Sequence, residues 1–399
     1  MSDVTAERRI AVSEVETARI DVDHLINAIC SASAQVTQVS FERDRSEIKV
    51  RYDGSEAELD ELLARVRKMA VGSELAYPPR VVFDRPGLSP HSPDTIWHQL
   101  TENEWVHDFG SGHVGCSGPL LALMERLDEL IVQASRALGA APLHFPSTVP
   151  VELLERSGVL EHYPQEVFFV APLSRGIDQI EAYRCAPDRA DGRRLSLHLE
   201  SAHHGLKTSA CCMIYPMLAG KRLAAPRHFT VHGQCSRHES GALDTLARLS
   251  EFRMREVVYV GDAAYLPAFE RGAIALLEAL FAALDLRGCI MTASDPFFIS
   301  KYEQYRFFQM LGGDKLEARI ALGETGATTA FASFNRHRDF FSRRYDIMCA
   351  DAPAVTACIG FGLERFCLGL LCRYGLDWTT IDERIGQAAD RLNHDGWTR

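Results

Sequence analysis

One stretch of the sequence places arginine and glutamate where they could bind a phosphorylated ligand. Arg237 and Glu239 follow an apolar run that is typical of a strand, and a second such run begins near Arg248. Because side chains two residues apart on a strand point the same way, Arg237 and Glu239 are predicted to share one face. An arginine there can hold a phosphate, and the glutamate can accept an amine, an adenine amino group or another arginine. A surface ion pair is the alternative interpretation.

A second stretch, from Cys358 to Arg365, combines two glycines with an arginine. Gly360 and Gly362 precede an apolar helix, and glycine lets a strand pack tightly or lets a ligand approach the backbone. Arg365, in the first turn of that helix, would reach back over the same surface. The pattern Gly-x-Gly alone is a weak indication of a nucleotide site, since phosphate-binding loops need more glycines in a βαβ setting.

Two other segments contain residues that could bind a metal or an amine. The first, Ser209 to Pro216, has adjacent cysteines at 211 and 212, and the second, Ser294 to Phe298, contains Asp295. A buried cysteine is more often a small hydrophobic side chain than a ligand. Asp295 either caps a turn or contacts a substrate amine. No single segment decides a function, whereas their order along the chain is distinctive.

The composition is that of a soluble globular protein with room for one large and one small domain. The 399 residues are 46% hydrophobic and 24% charged. Forty-three basic and 54 acidic residues give a net charge of -11, which argues against non-specific nucleic-acid binding. We find neither an apolar run long enough to span a membrane nor a secretory signal. Eleven cysteines without such a signal predict a cytoplasmic location.

The elements that must position these residues fall into two groups. Residues 1–75 are predicted to form a small N-terminal α/β domain with the order βαββα, whose last helix has Ser55 as its N-cap. Residues 76–95, rich in Pro, Gly and Ser, are predicted to be a linker. In residues 96–399, strands and helices mix without regular βαβ alternation. This mixture predicts an α+β domain built on a mostly antiparallel sheet.

In their order, these segments resemble the three motifs of class II aminoacyl-tRNA synthetases. Residues 122–150 resemble motif 1, a helix and strand at the dimer interface, Arg237 to Glu256 resemble motif 2, and Gly360 to Arg365 resemble motif 3. More narrowly, ACCMIYP, RLSEFRMREVVYVG and TACIGFGLER resemble the zinc-dependent seryl-tRNA synthetases of methanogens and the amino acid:[carrier protein] ligases, and we place the chain with the ligases. The resemblance covers about two thirds of the chain and implies an antiparallel sheet flanked by helices, usually in a homodimer.

The resemblance implies where ATP and Mg²⁺ would act. Arg237 would contact the α-phosphate, and Phe252 and Arg365 would sandwich the adenine, with Arg237 and Arg365 as the catalytic residues. The other implied nucleotide-binding residues are Glu239, Arg248 and Gly362. The implied reaction is attack of an amino acid carboxylate on the α-phosphorus, which gives an aminoacyl adenylate and pyrophosphate. Positioning and charge neutralisation by arginine and Mg²⁺ would be the main catalytic effects.

The resemblance also implies a zinc ion held by Cys211, Glu256 and Cys358, with the α-amino group of the substrate in the open fourth position. Cys211 is preferred to Cys212 because it lies four residues before Tyr215 in a Cys-x-x-x-Tyr-Pro run, which leaves Cys212 facing the opposite side. The residues implied around the amino acid pocket are Asp295, Lys315, Glu317 and Asn335, with His337 beside them. A solvated strand face is the alternative for the strand residues.

The implied acceptor is the phosphopantetheine thiol of a carrier protein, and the implied substrate is glycine, alanine or serine. A tRNA partner would require several phosphate contacts, and the N-terminal segment has little basic clustering. Candidate basic residues near the mouth of the site are Arg222, Arg336, Arg338, Arg343 and Arg344. Two alternatives stay open: an atypical seryl-tRNA synthetase that charges tRNA, and a non-catalytic synthetase-like binding protein.

Overall fold

A computed structural model describes most of the chain. The described residues are 5–11, 29, 32–33, 35–42, 47–64, 66, 79–187, 191–239, 243, 245–293, 313–395 and 397. Asp295, with the rest of Ser294 to Phe298, lies outside them, as does most of the first predicted helix. No helix in the described ranges combines the length and the apolar character needed to cross a membrane.

The strands are numbered here in chain order. They are β1 Thr5–Ala11, β2 Val36–Glu42, β3 Glu47–Asp53, β4 Val81–Arg85, β5 Val106–Asp108, β6 Val114–Cys116, β7 Ala141–Leu143, β8 Thr148–Pro150, β9 Phe169–Val170, β10 His204–Leu206, β11 Arg222–Leu223, β12 Arg227–Ser236, β13 Glu251–Gly261, β14 Gly288–Thr292, β15 Lys315–Ala321, β16 Thr328–Arg338, β17 Met348–Cys349, β18 Ala352–Pro353 and β19 Val355–Gly362.

The helices include short and long ones. A helix over 56–64 follows β3. The others are Pro93–Glu102, Gly118–Arg136, Val151–Arg156, Val159–His162, Ile177–Cys185, Gly192–Leu195, Ile214–Met217, Leu266–Ala283, Phe340–Tyr345, Leu363–Tyr374 and Trp378–Asp395. Single 3-10 turns lie at Pro164–Glu166, Ser196–His198, Ala210–Met213 and Thr245–Ala247.

The N-terminal strands form a sheet of their own in the order β1-β3-β2, with antiparallel pairing throughout. Alternate residues of β3, among them Ile48 and Val50, are buried in a hydrophobic cluster made only of residues from this part of the chain. The next helix begins as predicted at Ser55. Its hydroxyl oxygen accepts the Glu58 N–H at 3.3 Å, and the Glu58 carboxylate accepts the Ser55 N–H at 2.9 Å, which is a capping box.

A large sheet occupies the remainder of the chain and has the order β4-β14-β15-β16-β19-β13-β12-β7. All its neighbours pair antiparallel except β12 and β7, which are parallel. This sheet confirms the predicted α+β fold. Its edge strand β4 lies inside the segment 76–95 that was predicted as a linker, because residues 81–85 pair with β14. The domain boundaries themselves stay a prediction.

The two faces of the large sheet have different roles. Val257 and Tyr259 on β13 and Ile359 on β19 belong to the main hydrophobic core. That core includes residues of the helices Gly118–Arg136, Leu266–Ala283, Leu363–Tyr374 and Trp378–Asp395. Because strand side chains alternate between faces, Glu256 and Cys358 point to the opposite face. The helices therefore cover one side of the sheet, and the candidate ligands lie on the other.

Candidate metal and nucleotide site

Two cysteines and a glutamate meet on the sheet face opposite the helices. The ligand atoms of Cys211, Glu256 and Cys358 all lie within 4.8 Å of one another, and the three residues are buried. Glu256 pairs with Gly360 across β13 and β19, and Cys358 pairs with Val258, so the two side chains are diagonal neighbours on one face. Cys211 comes from the 3-10 turn Ala210–Met213. Residues distant in the sequence are thus brought together by sheet pairing and one turn.

Glu256 also fixes the turn that carries Cys211. Its Oε1 accepts the N–H of Ala210 at 2.8 Å and the N–H of Cys211 at 3.3 Å. Gly360, opposite Glu256, leaves room for this carboxylate. A Cβ added at residue 360 would lie 3.3 Å from Glu256 Cγ and 3.2 Å from Met254 Cε. The Glu256 carboxylate therefore lies between the 3-10 turn that donates hydrogen bonds to it and Gly360, which has no side chain to displace it.

The donor set fits a thiophilic divalent metal. Tetrahedral zinc with Zn–S bonds of about 2.3 Å places two sulfurs about 3.8 Å apart, a spacing that the cluster allows. A hydrogen bond that the Cys358 thiol donates to the Cys211 sulfur, together with burial, raises the pKa of the Cys358 thiol well above its usual range. The same hydrogen bond lowers the pKa of Cys211, but burial and the nearby Glu256 outweigh it and the pKa is raised. A bound cation would favour the thiolates of both residues.

Cys212 lies in a different environment from its neighbour. It packs in a small hydrophobic cluster with Val149, Leu154 and Val167, whereas Cys211 belongs to the cluster that contains Cys358. Burial is the main cause that raises the pKa of the Cys212 thiol. The structure therefore separates the two cysteines as the sequence predicts, and ligation by Cys211 stays a prediction.

The predicted motif 2 residues begin directly after β12 and continue through the following loop into β13. The prediction that Arg237 and Glu239 share a strand face is wrong, because β12 ends at Ser236 and both residues follow it. Arg237 donates from Nε to the carbonyl oxygen of Thr208 at 3.1 Å. Its guanidinium lies 5.3 Å from the centre of the Phe252 ring. The glutamate instead pairs with Arg248 at 3.3 Å, so one arginine faces the aromatic ring while the other holds the loop.

Arg365 lies in the first turn of the helix Leu363–Tyr374, as predicted. Its Nε donates to the carbonyl oxygen of Ala247 at 2.6 Å, and a terminal N–H donates to that of Ala330 at 3.3 Å. Gly362 ends β19, and among the described residues the atom within 4 Å of a Cβ added there is the Phe331 oxygen, at 3.9 Å. The adenine sandwich between Phe252 and Arg365 stays a prediction.

The predicted pocket residues continue the same sheet face on β15 and β16. Asn335 pairs with Cys358 across β16 and β19, and its Nδ2 lies 3.8 Å from the Cys358 sulfur. Lys315 is the partner of Asn335 on β15 and forms an ion pair with Glu317 at 3.5 Å. Glu317 also pairs with Arg319 at 2.9 Å. Asn335 therefore contacts the cluster directly, while Lys315 and Glu317 form an ion pair on β15, one strand further from the cluster.

His337, which the resemblance implies beside the amino acid pocket, contacts the cluster, and Tyr215, which was not predicted there, contacts His337. Tyr215 OH lies 3.3 Å from His337 Nδ1, and His337 Nε2 lies 3.8 Å from the Cys358 sulfur. The Tyr215 ring stacks on Phe341 with centroids 3.8 Å apart. The spacing of Cys211 and Tyr215, about one helical turn, is the signal that could have located Tyr215.

The arginines predicted at the mouth of the site are all engaged in ion pairs. Arg336 pairs with Glu270 and Asp314, and Arg338 also pairs with Asp314. The remaining pairs are Arg222 with Asp346, Arg343 with Asp339 and Arg344 with Glu161. Their charge is therefore largely balanced by neighbouring carboxylates, which the sequence alone did not indicate.

Comparison with known proteins identifies the family. No protein-family model matches the chain. Amino acid--[acyl-carrier-protein] ligase 2 of Bradyrhizobium diazoefficiens is 32% identical over 276 residues, which are 68% of this chain and 81% of that protein. Ligase 1 of the same organism is 31% identical over 311 residues, 76% of this chain and 93% of that protein. This chain belongs to the amino acid--[acyl-carrier-protein] ligase family.

The ligase also has more distant relatives. The type-2 serine--tRNA ligase of Methanocaldococcus jannaschii is 24% identical over 350 residues, 84% of this chain and 66% of that protein. Among solved structures, M. kandleri SerRS in complex with A. aeolicus tRNASec superposes with a TM-score of 0.65 at 20% identity, covering 96% of this chain and 78% of that chain. The Pyrococcus horikoshii seryl-tRNA synthetase complexed with ATP gives a TM-score of 0.59 at 13% identity, covering 83% and 79%. The ligase therefore has the class II aminoacyl-tRNA synthetase fold.

Proposed function

We propose that this ligase activates a small amino acid with ATP and transfers it to the phosphopantetheine thiol of a carrier protein. The observation that supports this most is the convergence of Cys211, Glu256 and Cys358, with Arg237 bound to the carbonyl oxygen of Thr208 three residues before Cys211. It offers a metal site for an amine next to an arginine for a phosphate. The names of the two relatives above 30% identity support a carrier protein as the acceptor.

In the first step, a carboxylate oxygen of the amino acid would attack the α-phosphorus of ATP. The bond between the α- and β-phosphates breaks, and pyrophosphate leaves. Arg237 would stabilise the charge on the α-phosphate while Phe252 and Arg365 hold the adenine. Mg²⁺ would accompany ATP and balance the charge of the leaving pyrophosphate. The solved synthetase with ATP, which shares the fold, supports a nucleotide on this sheet.

Zinc is the metal that fits the donor set best, and when bound it would hold the substrate's α-amino group at its open position. Cys211, Glu256 and Cys358 would hold the ion, and Glu256 would at the same time keep the 3-10 turn in place. Asn335 would line the amino acid pocket, since it adjoins Cys358. Lys315 and Glu317 would form the polar wall beyond it.

In the second step, the phosphopantetheine sulfur would attack the carbonyl carbon of the aminoacyl adenylate. The thiol loses its proton, the bond to the phosphate oxygen breaks, and AMP leaves with the thioester formed. A homodimer that forms through the motif 1 region, residues 122–150, is part of this proposal. The arginines predicted at the mouth already pair with neighbouring carboxylates, so an acidic carrier protein would have to compete with those carboxylates there.

Two assays on the purified protein test the proposal. Pyrophosphate exchange into ATP should depend on glycine, alanine or serine. Radiolabelled amino acid should then appear on a carrier protein that bears phosphopantetheine and not on the same carrier without it. Arg237→Ala should lower the exchange rate about 100-fold or more. Arg184→Ala, which removes an exposed arginine paired with Glu181, is the control and should leave exchange unchanged.

Transfer to tRNA is the second candidate, and the 24% identity to type-2 serine--tRNA ligases favours it. If the protein charges tRNA with serine and loads no carrier protein, the acceptor is tRNA and the carrier proposal is wrong. Absence of exchange with every amino acid would instead indicate a synthetase-like binding protein and would refute both catalytic proposals.

A further inference from the structure

His337 lies against one ligand of the proposed metal site and is held there from the other side. Its Nε2 is 3.8 Å from the sulfur of Cys358. Its Nδ1 is 3.3 Å from the hydroxyl of Tyr215 and 3.2 Å from that of Thr356, which is fully buried. Phe341 packs edge-on against the imidazole, with centroids 5.0 Å apart at 77°. The ring is thus fixed by contacts with both nitrogens and by an aromatic neighbour.

These contacts select one form of the imidazole when a metal is bound. A metal-bound Cys358 is a thiolate and has no proton, so a hydrogen bond between the two side chains requires an N–H on Nε2. Nδ1 can then accept from either hydroxyl next to it, since both Tyr215 and Thr356 can donate. A proton on Nε2 is therefore compatible with a hydrogen bond to the Cys358 sulfur and with one hydroxyl donor at Nδ1.

His337 is a neighbour of the ligands and not one of them. In the ranges that the structure describes, the group of ligand atoms within 4.8 Å of one another consists of Cys211, Glu256 and Cys358. Of these three residues, the one that His337 contacts through a ring nitrogen is Cys358, on the neighbouring strand β19. Its geometry matches the partners that orient metal ligands through hydrogen bonds.

Asn335 supplies a second N–H to the same sulfur. Its Nδ2 lies 3.8 Å from the Cys358 sulfur, and Asn335 lies on β16 two residues before His337. Two thiolates and one carboxylate place three negative charges on a divalent ion, which weakens its attraction for a neutral amine. Two N–H groups directed at Cys358 would withdraw charge from that sulfur and restore part of this attraction.

We infer that His337 is a positioning residue that donates a hydrogen bond from Nε2 to the Cys358 thiolate and thereby sets the affinity of the site for its metal and for the substrate amine. This inference rests on the proposed zinc site. It assigns a role to a side chain that touches neither the metal nor the nucleotide. The relevant measurements are therefore made on the metal itself.

Three variants of the full chain test this assignment. His337→Gln keeps an N–H near the position of Nε2, whereas His337→Leu removes it. Thr356→Val removes a hydroxyl next to Nδ1 at nearly constant volume. Zinc affinity is measured by competition with a chromophoric chelator. The Co²⁺-substituted protein reports on the sulfur through its thiolate-to-metal charge-transfer band, and glycine binding is followed by changes in the Co²⁺ ligand-field bands.

We expect His337→Leu to bind zinc about 10- to 100-fold more weakly than the wild type. Its charge-transfer band should move to lower energy, because a sulfur without this hydrogen bond gives up charge more easily. Glycine should also perturb its Co²⁺ spectrum only at higher concentration. His337→Gln should stay close to the wild type in all three measurements. Thr356→Val should fall between the two variants.

Unchanged zinc affinity and an unchanged charge-transfer band in His337→Leu would overturn the inference and leave the proposed zinc site intact. X-ray absorption showing one nitrogen ligand fewer in that variant would overturn it too, since His337 would then be a ligand. If His337→Leu does not fold, the zinc affinities of His337→Gln and Thr356→Val are compared instead. Equal zinc affinities in these two variants would contradict the positioning role of His337. A wild type that binds no metal would refute both the zinc site and the inference.

Discussion

Serine substitutions of Cys211 and Cys212, made one at a time, would test the metal site with a closely matched pair. Both side chains are buried, at 6% and 8% exposure, and they are adjacent in the sequence. Only Cys211 reaches the cluster with Glu256 and Cys358. The two substitutions remove the same sulfur atom, so they should differ only in the effect on the metal and in local packing.

The expected changes in the free energy of unfolding follow from the surroundings of Cys211 and Cys212. Zinc at about 1,000 times its dissociation constant should stabilise the wild type by about 4 kcal/mol. Cys211→Ser removes one of two thiolates and should abolish most of this gain. Cys212→Ser should keep it but lower stability with and without zinc by about 1–3 kcal/mol, because a hydroxyl replaces a thiol among Val149, Leu154 and Val167.

The assay is thermal unfolding of chelator-treated protein, with and without added zinc, together with metal analysis after dialysis. Cys211→Ser should contain little zinc and show almost no shift on zinc addition. Cys212→Ser should contain about one equivalent and shift as the wild type does. Loss of zinc from Cys212→Ser with retention in Cys211→Ser would refute the assignment of the ligand. Full zinc content in both variants would refute the site.

Gly369→Ala should destabilise the fold by about 1–3 kcal/mol in thermal unfolding, because an added Cβ would overlap Ile320 Cδ1. Ile320→Val in the same chain should recover part of that loss. Gly360→Ala should weaken zinc binding in chelator competition, since an added Cβ would lie 3.3 Å from Glu256 Cγ. Asp285→Asn should reduce the loss of unfolding free energy that the wild type shows as the pH falls below about 4. Burial alone would raise the pKa of Asp285, but hydrogen bonding and charge from the surrounding arginines lower it. Its stabilisation is therefore present above an unfolded-state pKa of about 3.9 and is lost as the pH falls through the folded value.

Each of these predictions has a distinct negative result. Additive effects of Gly369→Ala and Ile320→Val would show that the two positions do not collide. Unchanged zinc affinity in Gly360→Ala would show that the Glu256 carboxylate can move without loss. If the unfolding free energy of Asp285→Asn falls with pH as it does in the wild type, the charge of Asp285 does not contribute to stability through its arginine neighbours.

The fold class followed from the sequence because its signals are local. Alternating apolar residues and capping residues such as Ser55 act within a few positions, and the strands and helices form where those patterns lie. The prediction that Cys211, Glu256 and Cys358 lie together did not come from local signals. Nothing in their spacing requires them to meet, and only the resemblance to a family indicated it. The structure then brought the three residues together.

Side-chain partners were harder to predict because they depend on where each strand ends and which strand lies beside it. Arg237 and Glu239 separate because the pairing of β12 with β13 stops at Ser236. Lys315 and Glu317 bind each other, and Arg336 finds Glu270 on a helix far away in the sequence. His337 reaches Cys358 only because β16 and β19 are neighbours.

One short segment, Thr208 to Cys211, has a consequence for how the two substrates bind. The carbonyl oxygen of Thr208 holds Arg237, while the main chain of Cys211 is held by Glu256. Only two residues, Ser209 and Ala210, separate these two contacts, so we expect a displacement at one end to move the other. We therefore expect thermodynamic linkage between metal occupancy and nucleotide affinity, and linkage requires that each change the affinity for the other by the same factor.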